Sequence, residues 1–251
     1  KKQVWMSLIL ILVSTALFIQ CDKQSEAPAA EAMVSIEKVA FVSPAETVIL
    51  EEIQTTGFEN ILACIDSCLN AMPNEPLSVA EMELLNFVRE EELLAHDVYQ
   101  FLYALYPVPV FNNISNSELL HTYAMKVLLE KYELPDPAAE HQPGVFSNPD
   151  IQALYDELTA FGAESIENAL TTGAIIEDWD INDLIDHLND IDNQDLDFAI
   201  NQLYKGSRNH LRAFNAHLEF HNITYVPQYI SQELFDNITS TPWEIGMGFC
   251  Q

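Results

Sequence analysis

An all-α bundle is the fold class that this sequence predicts, on three observations. Apolar residues recur at helical spacing over long stretches near residues 79–105, 115–132, 174–191 and 193–221. No persuasive strand pattern lies between them. Glycine is scarce, at 7 of 251 residues, and 49% of the chain is apolar, which is enough to fill a substantial core.

The chain opens on Lys1 and Lys2, followed by an apolar run from Val4 to Ile19 that is too short for a comfortable membrane span. The run ends at Cys21, and a polar Ala/Pro/Glu stretch follows. This arrangement resembles a bacterial lipoprotein signal, although Gln20 stands where such signals carry a small residue. Residues 1–22 are therefore expected to direct export, with a lipid on Cys21 holding the chain to the membrane of the cell envelope. Plain secretion or an uncleaved anchor are the other readings. Residues 23–45 read as a tether, and 46–77 as an accessory helical segment ending near Pro73.

The main domain, 78–240, starts at the capping box Ser78-Val79-Ala80-Glu81. A first helix is expected over about 79–105, stopped by Pro107 and Pro109, and a second from about Ser115 to Tyr132. Residues 134–149 hold four prolines and Gly144, hence a loop. Asn148-Pro149-Asp150 caps a short helix to about Phe161. A broken pair follows, Ser165 to Leu170 and Ala174 to Ile191, interrupted at Gly173. The last long helix runs from Asn193 to about His221, with a weak one near Ser231 to Ile238 and a tail at 241–251.

The net charge of −29, from 39 acidic and 10 basic residues, excludes nucleic acid as a partner, because phosphates would be repelled. Cys64 and Cys68 are four apart, an awkward spacing for a disulfide along a helix, and either could pair with Cys250. Oligomeric state is left open, homo-oligomers included.

Chemistry concentrates on the helices. Glu118 and His121 lie three residues apart, so both leave one helix face, among Ile114, Met125 and Leu128. A buried carboxylate needs a partner, and a metal is a good one. In di-metal carboxylate bundles, Glu comes from some helices and Glu-x-x-His from others. On the first helix either Glu91 or Glu92 must face inward, with Glu90 toward solvent. Glu177 sits on a stripe with Ile181 and Leu184, and Asp180 can reach the same centre. His210 is in line with Leu203 and Phe214. His96, His141 and His187 read as surface residues. Such oxygen-plus-nitrogen ligation suits iron or manganese.

Residues 79–230 resemble the ferritin-like bacterial family catalogued as domain of unknown function 2202. The carrying motifs are Arg89-Glu90-Glu91-Glu92, Asp97-Val98-Tyr99, Ser117-Glu118 with His121, Leu134-Pro135-Asp136-Pro137, Pro143-Gly144-Val145-Phe146, Gly206 through Phe214, and Pro227-Gln228-Tyr229. The resemblance implies a ferritin-like four-helix bundle with short helices in its long connections. The wider ferritin and rubrerythrin superfamily places a Tyr seven residues after its first ligand Glu, which favours Glu92 over Glu91 and makes Tyr99 the tuning residue. It implies ligation by Glu92, Glu118, His121, Glu177 and His210, with Asp180 in support, around iron or manganese. Ser207 departs from the pattern by standing where the last Glu-x-x-His motif has its Glu. The implied chemistry is oxidation of ferrous iron, or reduction of dioxygen or peroxide. The rival expectation is a metal-free scaffold whose inward acids pair with Arg208 or Arg212. A ferritin-style storage shell fits poorly with a lipid tether.

Overall fold

The computed structural model describes residues 56–245 and Phe249; the expected signal segment, the lipid-bearing Cys21, the tether and Cys250 lie outside these residues. The described residues are helical, with one isolated β-bridge between Gln142 and Val145. The helices are α1 (Thr56–Ala71), α2 (Val79–Leu105), α3 (Pro109–Lys131), α4 (Pro149–Gly162), α5 (Ile166–Leu188), α6 (Gln194–Phe220) and α7 (Gln232–Ser240). None is long and apolar enough to cross a membrane.

Local chemistry explains most boundaries. Ser78 caps α2 by accepting from the Glu81 amide, while the Glu81 carboxylate accepts from the Ser78 amide at 2.8 Å, the reciprocal pair expected. Asn148 and Ser165 cap α4 and α5 in the same manner. Two expectations are corrected. Helix α3 begins at Pro109 rather than near Ser115, because a proline in the first helical turn lacks only an amide that would be orphaned anyway, and its ring pre-sets φ. Helix α5 runs unbroken through Gly173, where a Cβ would come within 2.3 Å of the Phe214 ring; this glycine permits close helix approach rather than a break.

The long helices pack in a closed cycle: α2 on α3, α3 on α6, α6 on α5, and α5 on α2. The core inside this cycle is split in two. One apolar block holds Leu93, Val98, Leu102, Phe111, Ile114, Leu170, Ile176, Leu211 and Phe214. The other holds Leu84, Val88, Ala124, Met125, Leu128, Leu184, Ile200 and Leu203. Between them lies a buried polar layer drawn from α2 (89–92), α3 (115–122), α5 (177–180) and α6 (207–210).

Several acids of this layer and its surroundings hold loops in place. Arg89, 1% exposed, donates from Nε and Nη2 to Asp136 at 3.1 and 3.0 Å, and also to Thr122. Glu90 is buried, not solvent-facing as expected, because it accepts from the amides of Ser147 and Asn148. Asp97 accepts from the Gly144 amide at 2.6 Å and pairs with His141 Nε2 at 2.9 Å, so His141 is buried as well. His96, also expected on the surface, is buried against Ser115, and His187 is half-buried. Asp178 accepts from Tyr225 Oη and from the amides of Gln228, Tyr229 and Ile230, which fastens the segment before α7. On the far side, α1 lies against α3, where Tyr123 donates to Asp66 at 2.8 Å and Lys131 donates to Leu69 O at 2.9 Å. Cys64 is disulfide-bonded and Cys68 is free, so the two do not pair with each other.

Replacing Asp178 with Ala strands the Tyr225 hydroxyl and three amides at once. Loss of about 3 kcal/mol is expected in chemical denaturation, with faster proteolysis between Tyr225 and Ile230.

Candidate metal centre

Within the polar layer, α2, α3, α5 and α6 bring Glu92, Glu118, His121, Glu177, Asp180, Ser207 and His210 into one buried region. Two groups of potential ligand atoms each lie within 4.8 Å of one another: Glu92, Glu118 and His121, and then Glu118, Glu177 and His210. Glu118 belongs to both. Its Oε2 lies 2.8 Å from His121 Nδ1, and its Oε1 lies 2.8 Å from His210 Nδ1. Glu92 Oε2 is 3.1 Å from His121 Nδ1, and Glu177 Oε2 is 3.3 Å from His210 Nδ1. The arrangement is thus nearly symmetric: one shared carboxylate, then an imidazole and a terminal carboxylate on each side. The two rings stack with centroids 5.6 Å apart.

The second ring nitrogens are handled differently. His210 Nε2 lies 3.0 Å from Ser117 Oγ, so the residue before Glu118 orients the opposite ring. His121 has its Nε2 edge against Gly206, where a Cβ would sit 2.6 Å from that nitrogen. Tyr99 donates to Glu177 Oε1 and stands 3.4 Å from Gly173 O, so it reaches the centre through Glu177.

Electrostatics express the crowding. Burial pushes Glu92 up to about 7 against the pull of His121, and burial raises Glu177 to about 7 against that of His210. Burial opposes charge on Glu118 too, but His210 and His121 hold its carboxyl below the usual range. Burial disfavours charge on His210, yet Glu118 and Glu177 raise it to about 10; Glu92 and Glu118 raise His121 likewise against burial. Asp180 is pushed well above the carboxylate range by burial and then by Glu92 and Glu177.

Asp180 occupies the neighbourhood that the departure at Ser207 leaves. It lies outside both triads, near the Ser207 hydroxyl, which donates to Leu203 O at 2.9 Å. Asp180 Oδ1 and Glu92 Oε1 have no hydrogen-bond partner, and His210 Nδ1 makes a well-aligned bond with neither nearby carboxylate. These unsatisfied atoms, converging beside the carboxylate–imidazole pairs, suit a shared cation.

The guanidinium groups that the scaffold reading requires are elsewhere. Arg208 donates to Glu244 at 2.7 and 2.5 Å, and Arg212 donates to Glu244 and to Ile238 O, tying down the segment after α7. That pairing of Arg208 or Arg212 with the inward acids is therefore corrected. Two contributors were missed in the sequence, and a weighed alternative proved buried as well. Ser117 and Gly206 stand beside the ligands within quoted motifs, but nothing local says what they touch. Glu91 is buried beside Glu92, because α2 is enclosed on both flanks at this level.

Mid-helix Gly206→Ala would ordinarily stabilise a helix by about 1 kcal/mol. Here the new methyl meets the His121 ring, so denaturation should show a loss of about 1–3 kcal/mol instead.

Two comparisons agree on ancestry. "Uncharacterized protein MJ0754" of the archaeon Methanocaldococcus jannaschii is 46% identical over 179 residues, covering 71% of this chain and 97% of its own. The crystal structure of hypothetical protein MJ0754 superposes with a TM-score of 0.68 at 47% identity, covering 69% of this chain and 99% of that one. The expectation of a bacterial family widens accordingly to include archaea. Residues 81–242 match the family described as "Uncharacterized protein domain (DUF2202)", and the chain belongs to that family.

Proposed function

We propose that this chain is a ferritin-like protein that binds two divalent transition-metal cations, iron or manganese, in the buried layer. The observation that carries this reading is the shared Glu118: one buried carboxylate whose two oxygens each face the Nδ1 of a different buried histidine. Glu92, Glu118 and His121 would hold one cation, and Glu118, Glu177 and His210 the other. Asp180 stands close enough to supplement them. Bound iron or manganese supplies one-electron redox chemistry toward dioxygen or peroxide, with oxidation of ferrous iron as the simplest outcome.

The residues around the triads define what the chain contributes to such a centre. Phe214 packs beside Tyr99 at 5.2 Å between ring centroids, within the apolar block that keeps water from one side. In the metal-free chain Tyr99 keeps a proton on its hydroxyl, since burial and then Glu177 push it well above the usual phenol range, and it holds Glu177 by donation. Glu92 and Glu177, poised near 7, exchange protons for metal at neutral pH. As part of the same proposal, residues 1–22 direct export and Cys21 carries a lipid anchor; the signal-like apolar run supports this.

Reconstitution with Fe(II) under anaerobic conditions, followed by elemental analysis, is expected to give two ions per chain, one for each triad. Glu118→Ala should remove both, and Glu92→Ala should remove one. Equal metal content in wild type and Glu118→Ala would sink the reading.

Proton competition sets a second expectation. Between about pH 4.5 and 7 the folded, metal-free chain keeps protons on Glu92 and Glu177 that the unfolded chain has released. From 6.5 to about 10 it keeps one on His210. The contribution of these groups to stability therefore falls as pH rises through that span. Melting of metal-free protein should drop from pH 6 to pH 8.5, and Mn(II) should raise the melting temperature more at pH 8.5 than at pH 6. Stabilisation by Mn(II) that is equal at the two pH values would contradict the proton exchange.

A further inference from the structure

The polar layer contains more acid than the triads use. Glu91 is 2% exposed, and neither of its carboxyl oxygens has a hydrogen-bond partner. That is unlike Glu90 and Asp97 beside it, which are matched with backbone amides. Glu91 projects from α2 toward α5, where Asp183 and Asp180 are its charged neighbours. On α5, Glu177, Asp180 and Asp183 succeed one another at three-residue intervals, each step rising about 4.5 Å along the axis. Exposure increases along the same ladder: Glu177 is 1% exposed, Asp180 5%, and the Asp183 side chain 24%. Asp183 then opens onto a surface cleft of about 710 Å³, lined also by Glu83, Glu90 and His187 and by the apolar Val79, Met82 and Phe87. His187 Nε2 stands 3.0 Å from Asp183 Oδ2 at the mouth.

We propose that Asp183, Glu91 and Asp180 form an access route along which divalent cations pass from this cleft to the paired triads. The proposal rests on the reading that the triads hold metal. Hydrated divalent ions cross an apolar core only where oxygens replace part of their water shell, and a succession of carboxyls, with both Glu91 oxygens and Asp180 Oδ1 unpartnered, supplies such oxygens. A route must also release what it takes up. Among the described residues, ligand atoms converge within 4.8 Å only in the two triads, so Glu91 and Asp183 hand an ion on while the triads retain it. The net charge of −29 raises the local concentration of cations around the chain, Glu83 and Asp183 at the mouth included.

The test follows cobalt uptake in time. Metal-free protein is mixed with excess Co(II) in a stopped-flow spectrometer, and the d–d absorption of bound cobalt is recorded. Asp183→Asn and Glu91→Gln are each expected to slow loading by about tenfold or more, with the final amplitude of wild type. Glu233→Gln, on the exposed side of α7, should load at the wild-type rate. Wild-type rates in both Asp183→Asn and Glu91→Gln overturn the route while leaving the centre standing. Loss of final amplitude in folded Glu91→Gln makes Glu91 a ligand, which also overturns it. Absence of cobalt absorption in wild type overturns the centre, and the route with it.

Discussion

Everything in this molecule turns on how buried carboxylates are satisfied. An acid withdrawn from water must find donors, a countercharge, a proton or a cation, because leaving it bare costs several kcal/mol. The chain divides its inward acids between two solutions. Glu90, Asp97, Asp136 and Asp178 are matched by amides or by Arg89, and they pin loops to helices. Glu92, Glu118, Glu177 and Asp180 face imidazoles and one another, and Glu92 Oε1 and Asp180 Oδ1 accept no hydrogen bond. The first set builds the frame, and the second creates a demand for positive charge at its centre.

That demand shapes the core. An apolar filling at the level of residues 89–92 and 177–180 would join the two hydrophobic blocks and add stability. The polar layer interrupts them instead, and it needs all four long helices in one register, since a shift of one residue on any of them would rotate its carboxylate or imidazole away from the common point. Gly173 and Gly206 serve the same register. One lets α5 and α6 approach across Phe214, and the other leaves space for the His121 ring.

Much of this was legible in the sequence because helical periodicity places residues on faces. Glu118 and His121 at three-residue spacing, Glu177 on its apolar stripe and His210 between Leu203 and Phe214 all pointed inward from pattern alone. The spacing could not rank Glu91 against Glu92, since α2 is buried on both flanks and both acids face protein. Solvent exposure was misjudged at Glu90, His96 and His141 for one reason. Their partners lie in α3 and in the loop 134–148, brought there by tertiary packing that no local pattern announces. Pro109 and Gly173 were misjudged in the opposite sense, as punctuation, when one starts a helix and the other sits within a helix–helix contact.

The unequal support of the two imidazoles has one more implication. His210 is steered through Nε2 by a hydroxyl on the facing helix, whereas His121, bonded through Nδ1 to Glu92, fits its Nε2 edge into the space left at Gly206. A hydroxyl holds a ring edge by a directional bond, whereas a missing side chain holds it by shape alone. The two halves of the polar layer are therefore inequivalent despite their matched carboxylates: a change at 117 would loosen one ring, and added bulk at 206 would displace the other.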